Sequence, residues 1–325
     1  QASYSNTTGA RNTATGGFAL YANSTGSYNT AFGYEACRVS TASNNTGIGT
    51  YALYDNTSGA NNVAVGLSAL ENNTTASENT AVGYQAMYSN TTGTPNVAVG
   101  RQALRSNTTG SQNVAVGEQA GYSITTGGEN TLIGGLTGDA LTVGVRNVAM
   151  GKGALTSDVG GSKSVAIGHS ALENQNMGSS ATDSNNVAVG YNAGSQNTSG
   201  TDNVFVGFAS GDSNNQGNTN TVVGSEAFSA NEQGDRNVAI GHRALYVMNP
   251  SGDVDTNNTA VGYYAGASHT TGTSNTFIGK DCGRDSTTGS GNTFIGVDSG
   301  YGITTGSSNT ILGRFNGNQG GLDIR

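Results

Sequence analysis

Small and β-branched residues alternate along nearly the whole chain, in short phrases separated by polar turns. The phrase at 96–100 is NVAVG, it recurs unchanged at 113–117, and 79–83 reads NTAVG. With the closing glycine of each phrase as a marker, the series runs from Gly16 through Gly33, Gly49, Gly66 and Gly83 to Gly313, eighteen markers in all. Fourteen of the seventeen gaps are 17 residues; the others are 16, 22 and 21. A fixed short period of this kind is the signature of a solenoid, so we expect one repeat domain over 1–313.

Each period can be read by position. Asn stands four residues before the marker in seventeen of eighteen repeats, Ser164 being the exception. Thr or Val follows, then a residue that is usually Ala, with Phe205, Phe277 and Phe294 as bulky exceptions, and then Val, Ile or a similar apolar residue. This period-two alternation of β-branched and small residues predicts a short strand. The Val/Thr and Val/Ile positions are expected to face a thin core. Ala and the marker Gly would then form a small-residue wall suited to close packing against identical neighbours. Ala returns three residues after the marker in thirteen of eighteen repeats, which predicts a second short strand or corner. An Asn/Thr/Gly turn such as NTTG at 107–110 closes the coil, with Gly and Asn supplying left-handed backbone.

The expected fold is therefore all-β, a parallel β-solenoid of about eighteen coils. At an interstrand spacing of about 4.8 Å they would form a rod of about 85 Å. Identical residues then stack into ladders. The strand-leading asparagines, among them Asn62, Asn79, Asn96, Asn113, Asn130 and Asn147, are expected to be such a structural ladder.

Composition narrows the function. Charged residues make up 10% of the chain, Trp is absent, and 52 residues are Gly. A net charge of -8 with no basic stripe argues against nucleic acid as a partner. No apolar run is long enough for a membrane-spanning helix. The chain opens at Gln1 with neither Met nor a signal-peptide core, as expected of a processed product or part of a longer one. The tail, 314–325, loses the repeat and reads as a junction or processing point.

Catalytic constellations are missing. His169, His242 and His269 are scattered, and Cys37 and Cys282 fall at corner positions expected to hold small core residues. No enzyme activity and no cofactor are expected. The D-x-D-x-N spacing of Asp253, Asp255 and Asn257 is metal-like, but Asn258 and Tyr264 break the EF-hand pattern, so a solvated acidic loop is expected. NTT and NST stretches at Asn23, Asn56, Asn90 and Asn107 match the glycosylation acceptor, yet the turn itself favours those residues. Two repeats are expanded, at 173–186 and 246–258. Insertions in solenoids emerge as loops, so Asn176, Ser179, Asp183, Asn249, Asp253 and Asp255 are candidate contacts for a host-surface glycan or protein receptor.

The phrases KSVAIGHSAL at 163–172, NVAIGHRAL at 237–245 and NTAVGYQAM at 79–87 resemble the head repeats of YadA-like trimeric autotransporter adhesins. Repeats of this type also occur in phage tail fibres. The resemblance covers essentially the whole chain, although the family's common repeat is shorter and the additional length here falls in the NTTG turn. It implies a left-handed parallel β-roll, a parallel homotrimer and an extracellular or virion fibre. Separately, exposed end coils, if the chain is complete, would favour head-to-tail assembly into filaments. The family's membrane-anchor barrel and coiled-coil stalk are absent from these residues. A second class fits the regularity too. Thr-rich coils present hydroxyl ladders, and the N-x-V-x-G phrase resembles grass antifreeze repeats, so an ice-binding solenoid is the alternative; Ser, Ala and the expanded loops interrupt its Thr columns.

Overall fold

The computed structural model describes residues 1–316, so residues 317–325 of the predicted tail lie outside the described residues. Parallel three-residue strands, one per coil, follow one another at the sequence period, and no helix occurs among the described residues. The chain is an all-β parallel β-solenoid of about eighteen coils. It divides into two compact units, one of residues 1–162 with 178–182, the other of 163–177 with 183–325.

Among the described residues the first unit carries nine three-residue strands, from Thr13–Thr15 to Val148–Met150, and the second carries nine more, from Val165–Ile167 to Thr310–Leu312, besides a few two-residue strands. Register within each unit follows the repeat. Val97, Ala98 and Val99 pair with Val114, Ala115 and Val116; in the second unit Val204, Phe205 and Val206 pair with Thr221, Val222 and Val223. Like residues therefore stack on like.

The strand presents the opposite faces to those expected. The central alanine, as in Ala64, Ala81, Ala98 and Ala115, is fully buried, whereas Val63 and Val116 are 36% exposed and Ile48 is 38% exposed. The β-branched columns point outward and the small residues line the interior. The reason is volume: a 17-residue coil encloses so narrow a space that, where the corner holds a large side chain, the strand usually contributes only a methyl group at its centre. The bulk comes from the corner, where Leu70, Met87 and Leu104 are fully buried. Burying one such side chain contributes about 1.5–3 kcal/mol.

Of the two readings of the next segment, a second short strand or a corner, the structure shows the corner, a turn. Ser68 (φ 57°) and Leu70 (φ 50°) occupy the left-handed region, with Leu67 and Ala69 between and before them outside it. This alternation of hand cannot continue as a strand, and costs roughly 1–2 kcal/mol at each left-handed residue. Hydrogen bonds to neighbouring coils offset it: Ser68 N donates to Thr50 O (2.9 Å) and Leu70 N to Ala86 O (3.0 Å). The marker glycine is required twice over. Gly83 sits at φ 134°, and a Cβ there would lie 2.4 Å from the carbonyl oxygen of Gly100 in the next coil.

The interior holds a nearly constant volume by exchanging partners. Where Phe205 replaces the central Ala, the flanking corner positions are Gly194 and Gly211, and a Cβ on either would come within 2.6 Å of the ring. Phe277 lies between Gly266 and Gly283 in the same way, and Leu132 between Gly121 and Gly138. An Ala–Leu pair thus alternates with a Phe–Gly pair. Phe205→Ala should lower stability by about 3–5 kcal/mol through the cavity it leaves. Adding Gly194→Leu and Gly211→Leu should recover part of that loss, whereas the outward Val206→Thr should change the denaturation midpoint little; chemical unfolding of the three variants beside the wild type reads all three effects.

Candidate interaction surfaces and the ladders behind them

Two buried side-chain columns position everything that reaches the surface. The first is the strand-leading asparagine. Asn79 Oδ1 accepts the backbone N–H of Asn96 (2.8 Å), and Asn79 Nδ2 donates to Gly93 O (3.0 Å). The first bond joins successive coils; the second ties the strand to the end of its own turn. Asn62, Asn96, Asn113, Asn130 and Asn147 repeat the arrangement, the last closing onto Gly161 O at 2.8 Å.

The second column is the asparagine of the NTTG turn, whose inward orientation the sequence reading missed. Asn56, Asn90 and Asn107 are fully buried, as is Asn23. Asn73 Nδ2 donates to Asn56 Oδ1 (2.8 Å), Asn90 to Asn73 (3.0 Å) and Asn107 to Asn90 (2.9 Å). The ladder stops where Ile124 occupies the position, and Asn107 Oδ1 is left without a hydrogen-bond partner. A glycan on any of these nitrogens is incompatible with the folded coil. The available signal was the unbroken recurrence of Asn at that position in adjacent repeats, which turn chemistry alone does not demand.

In one coil of the second unit the same position holds a histidine. His269 is fully buried; its Nε2 lies 2.9 Å from Gly272 O, and Ser286 Oγ lies 3.4 Å from Nδ1. Burial pushes its pKa below the ordinary value, partly countered by the Gly272 carbonyl. Cys37 and Cys282 are buried as well, and burial raises both thiols to about 12, which leaves them protonated and unreactive.

Three kinds of surface result. The NTTG turn presents threonines, but the first hydroxyl of each turn is already used. Thr74, Thr91 and Thr108 Oγ1 each donate to the carbonyl of the residue one coil on, at 3.0–3.1 Å. Along the corner column of the first unit tyrosine alternates with charge, and Arg105 lies over Tyr88 and Tyr122 (5.4 and 5.6 Å); in the second unit Arg284 of that column lies over Tyr301 (5.7 Å) and over Tyr264 of a neighbouring column (4.9 Å). The strand face presents the Thr/Val and Val/Ile columns, bordered by aromatic residues. In the second unit His169, Tyr191 and Phe208 stack at 5.3 and 5.7 Å, and His242 stacks on Tyr263 at 5.4 Å.

The expanded loops carry the predicted contact residues at the surface. Asn176, Ser179, Asp183, Asn249, Asp253 and Asp255 are all exposed. Several are held by the preceding coil. Lys163 Nζ donates to Asp183 Oδ2 (2.6 Å), Arg236 pairs with Asp255, and Asn249 Nδ2 donates to Glu232 Oε1 (3.3 Å). Val254–Asp255 pairs in parallel with Gly234–Asp235, so the second loop begins its return as an added strand. Burial raises the Asp235 carboxyl above its ordinary value, and the charge of Asp253 adds to this. Among the described residues no group of three or more His, Cys, Asp or Glu could hold a metal ion, and no helix is long and apolar enough to cross a membrane.

No family model, curated protein or solved structure matches the chain.

Two measurements test the ladders. Asn96→Ala removes the acceptor for Asn113 N and the donor to Gly110 O, and should cost about 1–3 kcal/mol for the buried groups left unpaired. For His269 the depressed pKa fixes the sign. As pH falls below about 6.5 the unfolded chain binds a proton that the folded chain refuses, so stability drops until the folded imidazole also protonates. The raised carboxyl of Asp235 runs the other way at lower pH, where the folded state takes its proton first. His269→Asn restores the repeat residue and should flatten the stability profile between neutral pH and about pH 5; urea midpoints across that range check it.

Proposed function

We propose that this chain is a structural and adhesive element of an extracellular or virion fibre, a stacked scaffold that carries loops and faces outward and performs no catalysis. The observation that carries the reading is the internal commitment of the polar repeat residues. Both asparagine columns and the first turn hydroxyls bond within the solenoid, so the repeated phrase serves stacking and not chemistry. The likeness of KSVAIGHSAL to adhesin head repeats supports the same reading, and adds a left-handed winding and a parallel homotrimer as the assembly of that family. The exposed loop residues around Asp253 and Asn176 are the surfaces proposed to meet a glycan or protein receptor.

The ice-binding alternative draws on one observation: the strand face repeats Thr or Val at a single position in every coil, as in Thr80, Val97, Val114 and Thr131. The turn hydroxyls, by contrast, are spent on neighbouring carbonyls.

Immunogold labelling of the cells or particles that produce the protein tests the fibre directly. Label along projecting fibres is the expected result, and label confined to the cell interior overturns the proposal. Thermal hysteresis of the purified protein should be absent; clear ice shaping would favour the alternative.

A further inference from the structure

The residue after each marker glycine forms a column along the border of the strand face, and in the second unit its rings cover one another. Tyr191 is stacked between His169 and Phe208, at 5.3 and 5.7 Å and at 17° and 10° to them, so both of its faces are taken. Tyr34 of the first unit has the same place in its coil, but the residue one coil before it is Gly17. A Cβ on Gly17 would come within 3.2 Å of Tyr34 Cδ2, so the side-chain seat at Gly17 lies against that ring. The column's other glycine, Gly135, has no ring within 4 Å of where its Cβ would be. Phe18 walls the seat, its ring centre 6.1 Å from that of Tyr34 at 85°, and Tyr51 follows on the next coil at 5.9 Å and 80°. Tyr34 is 45% exposed and Phe18 39%.

We infer that this seat takes a neutral sugar residue of a glycan, stacked on Tyr34 where the second unit stacks a histidine. The inference deepens the adhesive reading, on which it rests for the existence of a receptor, by choosing the glycan and placing a contact outside the expanded loops. A sugar ring has an apolar C–H face and a rim of hydroxyls. The electron-rich face of an aromatic ring suits the first, and a few fixed polar groups beside it suit the second. Glu35 supplies acceptors. Its backbone N–H donates to Gly17 O (2.8 Å), which fixes it beside the seat. A hydrogen bond to the Glu35 carboxylate, with the carboxylate's charge added, holds the Tyr34 phenol above its ordinary pKa. Arg38, the cation of that coil, is already committed: Nη1 donates to Tyr54 Oη (2.6 Å) and Nε stands 3.8 Å from Glu35 Oε2. A carboxylate beside the seat, with its one cation engaged, repels acidic sugars, so the ligand is neutral. Area argues against a protein. Phe18, Tyr34 and Tyr51 lie on three successive coils, about 10 Å along the stack, and a patch of that length falls far below the roughly 800 Å² per partner of stable protein interfaces.

Binding of the full chain to an array of neutral, sialylated and uronic-acid-bearing glycans tests the inference. At least one neutral glycan should bind, and titration calorimetry with that glycan then gives its dissociation constant. Tyr34→Ala and Gly17→Leu should each weaken binding tenfold or more, with circular dichroism and urea midpoints like those of the wild type. The second fills the seat with a residue that the column already accepts at Leu67. Should it lose its fold, Gly17→Ser obstructs the seat with a smaller group and carries the same expectation. Tyr34→Phe keeps the ring face and should retain binding, as should Tyr191→Ala in the second unit. No neutral glycan bound, binding confined to acidic glycans, or folded Tyr34→Ala and Gly17→Leu variants that bind as the wild type does would each overturn the inference. Binding lost instead in Asp253→Ala with Asp255→Ala would assign the glycan to the expanded loop, removing this site while the adhesive reading stands. Fibre labelling reads out separately: labelled fibres from a chain that binds no glycan would leave the fibre proposal and remove this one.

Discussion

The side-chain amide of the asparagine before each strand is the interaction on which the coil depends. One oxygen receives the next coil's backbone N–H, and one nitrogen reaches the carbonyl at the end of its own turn, so a single buried group closes the ring and joins ring to ring. Serine at position 164 shows what the coil requires. Its hydroxyl is too short to span the gap, and Gln175, one methylene longer than the asparagine usual in the turn column, fills it. Gln175 Nε2 donates to Ser164 Oγ (3.1 Å), and Gln175 Oε1 accepts from Asn186 Nδ2 (2.9 Å). A buried amide left unpaired costs far more than one that is satisfied, so a change in one column forces a change in the other.

Volume is the second constraint, and it follows from the first. A ring closed at fixed points encloses a fixed cross-section. The core answers with complementary exchanges across adjacent coils: Leu104 at the corner beside Ala98 at the strand centre, but Gly211 and Gly194 around Phe205. Close-packed interiors leave little room for any other solution.

Much of the fold was legible because a period is legible. Spacing of the marker glycines gave the coil length, the N-[TV]-x-x-G phrase gave the strand and its register, and recurrent Asn gave a ladder. The inside was misassigned. Alternation divides a strand into two faces without saying which is buried, and Val and Ile resemble core residues when the thickness of the coil is unknown. The evidence was nevertheless in the chain: Phe205, Phe277 and Phe294 fall at the alanine position and coincide with glycine at the corner, which is how residues behave when they share one cavity. The choice between a return strand and a corner was illegible for a different reason. Left-handed backbone at Gln102 and Leu104 has no residue-type signature, since its cost is met by hydrogen bonds between coils. The contact loops were legible only as interruptions of the period; their ties to Arg236, Lys163 and Glu232 depend on the coil beneath them.

Folding accounts for the buried columns but not for the outward strand face. Strand preference favours Val, Ile and Thr, yet that preference spans only about 1 kcal/mol and varies with context. An outward side chain on a solvated sheet would accept Lys or Glu at little cost. The same chain does so one residue past the marker glycine, where Arg101, Glu118, Lys152 and Lys280 appear. Charge is therefore tolerated at the border of the strip and excluded from its two central columns along the full run of repeats. Asparagine is kept because the coil cannot close without it. The uncharged outer columns have no such part in closing the coil, so their composition belongs to the surface and not to the stack.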